Sequence, residues 1–381
     1  MLWIFPSMFL NHNNAFSVVG LVTENISKFR NFLKEKDIRT MEKSQLYTSK
    51  GWINAELLLD SPEAFVVAIG GRGIGKSYSI MYELYKRQIP FIYMRRTQTQ
   101  LDAVTIPPLN PFNQIAQDHH LIITAEKLSK HTVGFYDTTT EETKDPFAIG
   151  IALSTFSSIR SLSAEKFEVL FFDEIIPERH EKPIKEEGLA FANVLESLNR
   201  NRELQHRKPL KVILATNSNT VNSKIIDTLG CLDTIVTMSK NHQFYKSVRG
   251  MVAIYRYIDS PISEQKRNSV LYQVINNQDF SDMALNNEFS KSDYENVQSK
   301  PLQEYNPICA YGNTTIMKHK SKREYYCISG VKSPEHFEKL PLSTRAFQRK
   351  YWFVYGAILD KRVYYQNASV KIEIEGAFKN G

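Results

Sequence analysis

The sequence predicts an α/β fold, a largely parallel sheet with helices, followed by a small basic C-terminal domain. Three observations carry this expectation. Apolar, β-branched runs at Phe65–Ile69, Phe167–Phe172 and Leu210–Ala215 alternate with helical patterns, as strands buried on both faces require. The first run leads through a glycine-rich turn into a helix, and the second ends in two adjacent carboxylates. The last 81 residues carry 13 Lys/Arg against 7 Asp/Glu, whereas the rest of the chain carries 35 against 34.

Whole-chain composition bounds the possibilities. A chain of 381 residues, 42% hydrophobic and 23% charged, can bury a sizeable core and has room for more than one domain. Its three cysteines are widely spaced and form no CxxC pair, which argues against a disulfide framework or a zinc site and suits a reducing cytoplasm. No apolar run approaches the roughly 20 residues of a membrane span. The net charge of +7, displaced to one end, points to a polyanionic partner for that end; a merely solvated basic surface is the alternative.

Residues 1–45 read as an N-terminal extension. Met1–Leu10 is apolar but lacks a basic leader and is broken by Pro6, which does not suit a signal peptide. Glu24–Lys36 reads as a short polar helix, and the second methionine, Met41, precedes the recognisable domain, as an upstream start codon would leave it.

Residues 46–258 read as the principal domain. Ala64–Ser77 is AFVVAIGGRGIGKS, a buried strand followed by a full match to G-x-x-x-x-G-K-[ST], and Ser77–Gln88 continues as an amphipathic helix. Gly70, Gly71, Arg72, Gly73, Ile74, Gly75, Lys76 and Ser77 then form a phosphate-binding loop. Its glycines let backbone N–H groups turn inward, and the helix N-terminus adds partial positive charge. Lys76 reaches the β- and γ-phosphates, and the Ser77 hydroxyl ligates Mg²⁺. A dinucleotide-binding turn fails on spacing, because Lys76 stands where the last glycine of G-x-G-x-x-G is required. The expected ligand is Mg-ATP and the expected fold a P-loop NTPase.

Pro90–Met94 is the next strand, followed by Arg95 and Arg96 on the ligand side of such a sheet, where they either hold phosphates, position a lid or form surface salt bridges. Leu121–Thr124, Thr132–Tyr136 and Phe147–Leu153 read as strands around the polar turn 137–145. Phe167–Glu174 (FEVLFFDE) places Asp173 and Glu174 at a buried strand's tip. Asp173 holds the Mg²⁺ through water and Glu174 polarises the attacking water, which favours a hydrolase of the additional-strand, catalytic-glutamate (ASCE) type. Phe191–Leu198 is helical and runs into Asn199-Arg200-Asn201-Arg202. Arg200 and Arg202 at a helix exit are either solvated or offered to a neighbouring subunit's transition state, and spacing alone does not choose between these roles. Leu210–Ala215 is another buried strand, ending in Thr216 and Asn217, small polar groups suited to sensing the γ-phosphate.

Residues 259–300 are polar and read as a linker subdomain. Residues 301–381 read as a nucleic-acid-binding domain with strands at Tyr305–Tyr311, Arg323–Ser329, Tyr351–Leu359 and Arg362–Gln366. Lys318, Lys320, Lys322 and Arg323 sit between the first two, as a hairpin tip contacting phosphate backbone would.

The ordered set IGGRGIGKSYS, FIYMRRT, FFDEII, NRNRE and ATNSN, with weaker echoes in MALNNEFS and YYCISG, resembles the DNA encapsidation proteins of small short-tailed phages. The arginine within GxRGxGKS is also similar to large terminase motors. The resemblance implies an ATPase that translocates double-stranded viral DNA into a preformed capsid. It implies a homo-oligomeric ring at the portal, a prohead RNA as partner, Arg200 as the trans-acting finger with Arg202 as the alternate, and Arg72 on phosphate or on the neighbouring subunit. It implies action in the host cytoplasm, transiently at the prohead, and no membrane. It also implies a C-terminal domain resembling a degenerate RNase H-like nuclease. Because NPICAYGN carries no acid, and Asp360, Glu373 and Glu375 are the candidates left, no nuclease activity is expected. The rival readings are a helicase-like or DNA-repair ATPase and a nucleotide-gated nucleic-acid-binding adaptor.

Overall fold

The structure, a computed structural model, describes residues 41–140, 145–159, 162–177, 181, 184–218, 220–221, 223–275, 278–287, 289, 291–330 and 344–379. The expectations for residues 1–40, including the helix at 24–36, lie outside the described residues. So do parts of the turn 137–145 and of the segments ATNSN and MALNNEFS.

Nine strands form the main sheet: β1 (Phe65–Gly70), β2 (Phe91–Arg95), β3 (Ile123–Ser129), β4 (Thr132–Asp137), β5 (Ala148–Ala152), β6 (Val169–Phe172), β7 (Lys211–Thr216), β8 (Tyr245–Val248) and β9 (Val252–Tyr257). Their order is β3-β4-β5-β2-β6-β7-β1-β9-β8. The run β5-β2-β6-β7-β1-β9 is parallel throughout. Antiparallel pairs close it at both edges. β7 therefore lies between the strand that feeds the glycine loop and the strand that ends in the acids. The loop, Thr216 and Asp173 thus emerge side by side at one end of the sheet.

The continuous apolar runs follow from burial on both faces. Val67 and Ile69 of β1 enter one core with Leu170, Phe172, Val212 and Leu214. Val66 and Ala68 enter the other with Tyr93, Phe171 and Ile213. Helix α1 (Lys76–Lys86) turns Ile80, Met81 and Leu84 onto that second core. On the first face lie α2 (Glu187–Asn199) and α3 (Leu232–Lys240). Among the described residues no helix is long and apolar enough to cross a membrane.

Residues 41–45 lead into a short 3-10 turn Lys43–Leu46, whose Leu46 is fully buried against the second core. The polar stretch read as a linker subdomain packs directly on the glycine loop. Helix α4 (Pro261–Arg267), N-capped by Ser260, and a π-helical turn Asp282–Asn286 are the elements that reach it. Tyr351–Leu359, expected to be a strand, forms helix α6 (Trp352–Leu359), preceded by α5 (Thr344–Lys350). A short run as apolar as WFVYGAIL has no period to distinguish strand from helix. Val354 and Ala357 are buried while Trp352, Tyr355 and Leu359 are exposed, a helical spacing legible only once packed.

The second sheet runs β10 (Tyr305–Tyr311), β11 (Thr314–His319), β12 (Tyr325–Ser329), β13 (Val363–Tyr365), with β13 parallel to β12. β11 escaped the sequence reading. The basic cluster lies at the β11–β12 turn, between the second and third strands rather than the first two. Helix α7 (Ala368–Lys379) shares the second sheet's core with Phe347, Val354 and Val363, where Cys309 and Cys327 are also buried; all three cysteines are free. The N-terminal residues of α7 are held by the first module: the Ala368 N–H donates to Asp233 and the Ser369 hydroxyl to Asp227.

Candidate active site

The glycine loop wraps from β1 into α1. Gly75, at φ 88°, occupies the left-handed region at the helix N-terminus, and a side chain there would also crowd Trp52. Gly71 is required for a different reason. A Cβ on it would stand 2.5 Å from the Ala284 carbonyl oxygen, which also accepts the Arg72 N–H at 3.2 Å. Gly71→Ala is expected to cost about 1–3 kcal/mol, the range for forced overpacking, and to lower the melting temperature by several degrees. Thermal denaturation of the full chain checks it; an unchanged midpoint would show that the 282–286 turn yields freely.

Arg72, Gly73, Gly75, Lys76, Ser77, Tyr78, Asp173, Glu174, Thr216 and Asn217 line one cleft of about 370 Å³ at the carboxyl ends of the parallel strands. Lys76 is almost wholly buried, and its ammonium donates to the carbonyls of Gly70 (2.9 Å) and Gly71 (2.7 Å) and to Asn217 Oδ1 (2.8 Å). Burial pushes its pKa down to about 7. The neighbouring Asp173 and Glu174 oppose that shift, and Lys266 and Arg72 add to it. Asp173 is buried too, and desolvation raises its pKa against the lowering effect of Arg95. The Ser77 hydroxyl donates to the Asp173 carboxylate. A serine hydroxyl and a carboxylate side by side are hard oxygen ligands, the donor chemistry that suits Mg²⁺.

Glu174 sits at φ 55°, an uncommon conformation for a side chain of this kind. Its half-exposed carboxylate is held by Arg95 Nη2 at 2.6 Å, while Arg95 Nη1 lies 3.5 Å from Asp173 and 3.3 Å from the Tyr93 hydroxyl. Of the two arginines after β2, Arg95 thus pairs with the tip acids. Arg96 is buried against Glu187 (2.9 Å) and Glu181 (2.9 Å), an ion-pair cluster outside the cleft lining.

The remaining sequence-derived residues fall as follows. Thr216 and Asn217 are in the cleft, Asn217 directly on Lys76. Arg200 is exposed at the C-terminus of α2, outside the cleft lining, with Nη2 donating to the Leu162 carbonyl at 3.2 Å. Arg202, the alternate, is buried with its guanidinium donating to the carbonyls of Ala164 and Phe167, so it braces the chain before β6 and is not offered to a neighbour. Lys318, Lys320, Lys322 and Arg323 are all exposed around the β11–β12 turn, with His319 buried between them. Sequence reasoning missed the hold on the loop from residues 259–300. Lys266 donates to the Arg72 carbonyl at 2.8 Å, and Asn287 donates to the Ile69 carbonyl at 2.9 Å. Nothing in their spacing marks them, because the contact spans almost 200 residues.

The DNA packaging proteins of Bacillus phages phi29 and PZA are each 26% identical over 259 residues, covering 65% of this chain and 67% of theirs. That of Bacillus phage B103 is 27% identical over 231 residues, covering 58% and 63%. A chain of the phi29 viral genome packaging motor assembly superposes with a TM-score of 0.59 at 16% identity, over 86% of this chain and 98% of that one. A chain of the phi28 DNA packaging motor gives 0.56 at 15%, over 87% and 97%. At that identity the likeness is one of fold. Residues 41–330 match the family of podovirus DNA encapsidation proteins, a span that takes in the glycine loop, the tip carboxylates, the bracing segment and the first three strands of the second sheet. The chain belongs to that family.

Proposed function

We propose that the chain is the ATPase subunit of a phage DNA-packaging motor, hydrolysing Mg-ATP to drive double-stranded DNA into a preformed capsid. The observation that carries this reading is the gathering of Lys76, Ser77, Asp173 and Glu174 in one cleft on a sheet of the packaging-motor fold. The position of β7 between β1 and β6 supports the additional-strand class of P-loop NTPase.

The loop N–H groups and Lys76 bind the phosphates, and Ser77 and Asp173 would hold Mg²⁺, which would supply positive charge to offset that of the triphosphate. Glu174 orients and deprotonates the attacking water. Its ion pair with Arg95 must loosen for that to happen, because the carboxylate oxygen that Arg95 holds is not available to the water. Arg200, exposed and clear of its own cleft, exchanges its bonds to the Ser197 and Leu162 carbonyls to serve the next subunit of a ring as the arginine that stabilises transition-state charge. Asn217 links Lys76 to β7, so a change at the γ-phosphate can pass to the strand that neighbours both β1 and β6.

The relatives' assignment to packaging motors supports a homo-oligomer at the portal; a prohead RNA partner and action in the host cytoplasm rest on the family resemblance alone. The C-terminal module, of RNase H-like ancestry, serves binding rather than cleavage. Its three candidate acids have separate partners: Asp360 pairs with Arg362, Glu373 accepts from the Asn313 N–H and the Thr314 hydroxyl, and Glu375 accepts from Tyr365.

A packaging motor must grip every sequence, so its DNA contacts are electrostatic and salt-sensitive. Replacing Lys318, Lys320, Lys322 and Arg323 together by alanine is expected to reduce the slope of log affinity against log salt by about 3–4 on duplex DNA. Filter binding across a salt series checks it; an unchanged slope would remove the β11–β12 turn from the DNA interface. The decisive test of the function is to add the purified chain to its empty proheads with DNA and ATP, and to measure nuclease-protected DNA. No protected DNA, with ATP hydrolysis intact, would favour a repair-type ATPase.

A further inference from the structure

Resting on the ATPase reading, we propose that Lys266 is a second phosphate-binding lysine, supplied from beyond the sheet, that contacts the terminal phosphate of the bound triphosphate. Its ammonium lies at the outer turn of the glycine loop. It donates to the Arg72 carbonyl at 2.8 Å and stands where a Cβ on Gly73 would be, 2.2 Å from that position. The helix end of such a loop, with Gly75, Lys76 and Ser77, takes the inner phosphates. The outer turn at Arg72 and Gly73 therefore faces the end of the polyphosphate.

Lys266 reproduces the arrangement of Lys76. Each ammonium caps carbonyls of the loop, Lys76 those of Gly70 and Gly71, Lys266 that of Arg72. An ammonium has three donors, and Lys266 has one acceptor among the described residues. The two lysines and Arg72 crowd one loop, and like charges so placed repel one another. A polyanion with three phosphates relieves that repulsion; one with two leaves the outer cation unmatched.

The lysine is well supported. Helix α4 starts on the Ser260 cap, and Arg267 beside it donates to Asn286 Oδ1 at 2.8 Å. The same turn receives the Arg72 N–H at Ala284, and Asn287 holds the Ile69 carbonyl. Residues 261–287 thus form a bracket whose single cation directed at the loop is Lys266, so exchange of Arg72 for phosphate would report the nucleotide state to the segment leading into the second sheet.

The test compares the full chain with Lys266→Ala, Lys266→Gln and Lys266→Arg for binding of a slowly hydrolysed ATP analogue and of ADP by calorimetry. Melting temperatures establish that the variants fold. Alanine and glutamine are expected to weaken the ATP analogue about tenfold and ADP by less than about twofold, with arginine restoring most of the difference. Equal weakening of both ligands, or no change in either, overturns the assignment and leaves Lys266 as a brace for the loop. A wild-type chain that binds neither ligand, or a Lys76→Ala variant that binds both as well as wild type, overturns the ATPase reading itself and this assignment with it.

Discussion

Glu174→Gln is expected to lower ATP turnover by roughly two to four orders of magnitude, the span for losing a general base, while ATP affinity stays within about twofold. The two effects separate because Glu174 does not hold the loop. Its carboxylate is half exposed and its partner is Arg95, whereas the loop carbonyls are held by Lys76 and Lys266. Glutamine keeps the shape and an acceptor for Arg95 but cannot take a proton. Steady-state hydrolysis and equilibrium binding on the same preparation check the prediction. Turnover reduced less than about tenfold would move the base elsewhere. The conformational requirement gives a second reading of the result: if Arg95 restrains Glu174 in the empty site, pre-steady-state kinetics of wild type should show a step before hydrolysis that the glutamine variant retains.

Removing the charge at Lys76 is expected to be as severe, through binding rather than chemistry. Lys76→Ala leaves the carbonyls of Gly70 and Gly71 and Asn217 Oδ1 without their buried donor, about 1–3 kcal/mol for such a group, and deprives the triphosphate of its nearest cation. A loss of ATP affinity of about 100-fold or more follows. A pH signature accompanies it. Burial holds the Lys76 pKa at about 7, so above that pH most of the ammonium is deprotonated, while a bound triphosphate demands the charged form. ATP binding above pH 7 should then take up a proton, and affinity should fall with rising pH at up to about tenfold per unit. Calorimetry in buffers of different ionisation enthalpy reads the proton directly. Lys76→Arg, which stays charged, should abolish the uptake. Proton-neutral binding by wild type at pH 8 would show that the site does not depress this lysine.

The candidate site was legible wherever its chemistry is written in contiguous residues. The glycines and lysine of Gly70–Ser77 stand at the spacings by which one turn of backbone would surround one phosphate group, and that constraint is local. Asp173 and Glu174 were legible as a pair because an apolar strand must end before it can present charge. Arg95 and Arg96 were visible as a pair but not as individuals. Their division of labour, one on the tip acids and one buried against Glu181 and Glu187, depends on which way each side chain leaves the end of β2. Arg200 and Arg202 show the same limit: two arginines one residue apart, of which only Arg200 is exposed.

By itself, then, the sequence determined the strand–loop–helix around the glycine loop, the acids that share its cleft, the parallel α/β class and the displaced basic charge. Each arises from neighbours in the chain or from a period of two or 3.6 residues. Only the tertiary structure decided that β7 runs between β1 and β6, that WFVYGAIL is a helix, and that residues 259–300 brace the glycine loop through Lys266, Ala284 and Asn287. Those contacts join residues some 200 positions apart through single hydrogen bonds to backbone carbonyls. A carbonyl belongs to every residue alike, and so leaves no mark in the sequence of the partner that will receive it.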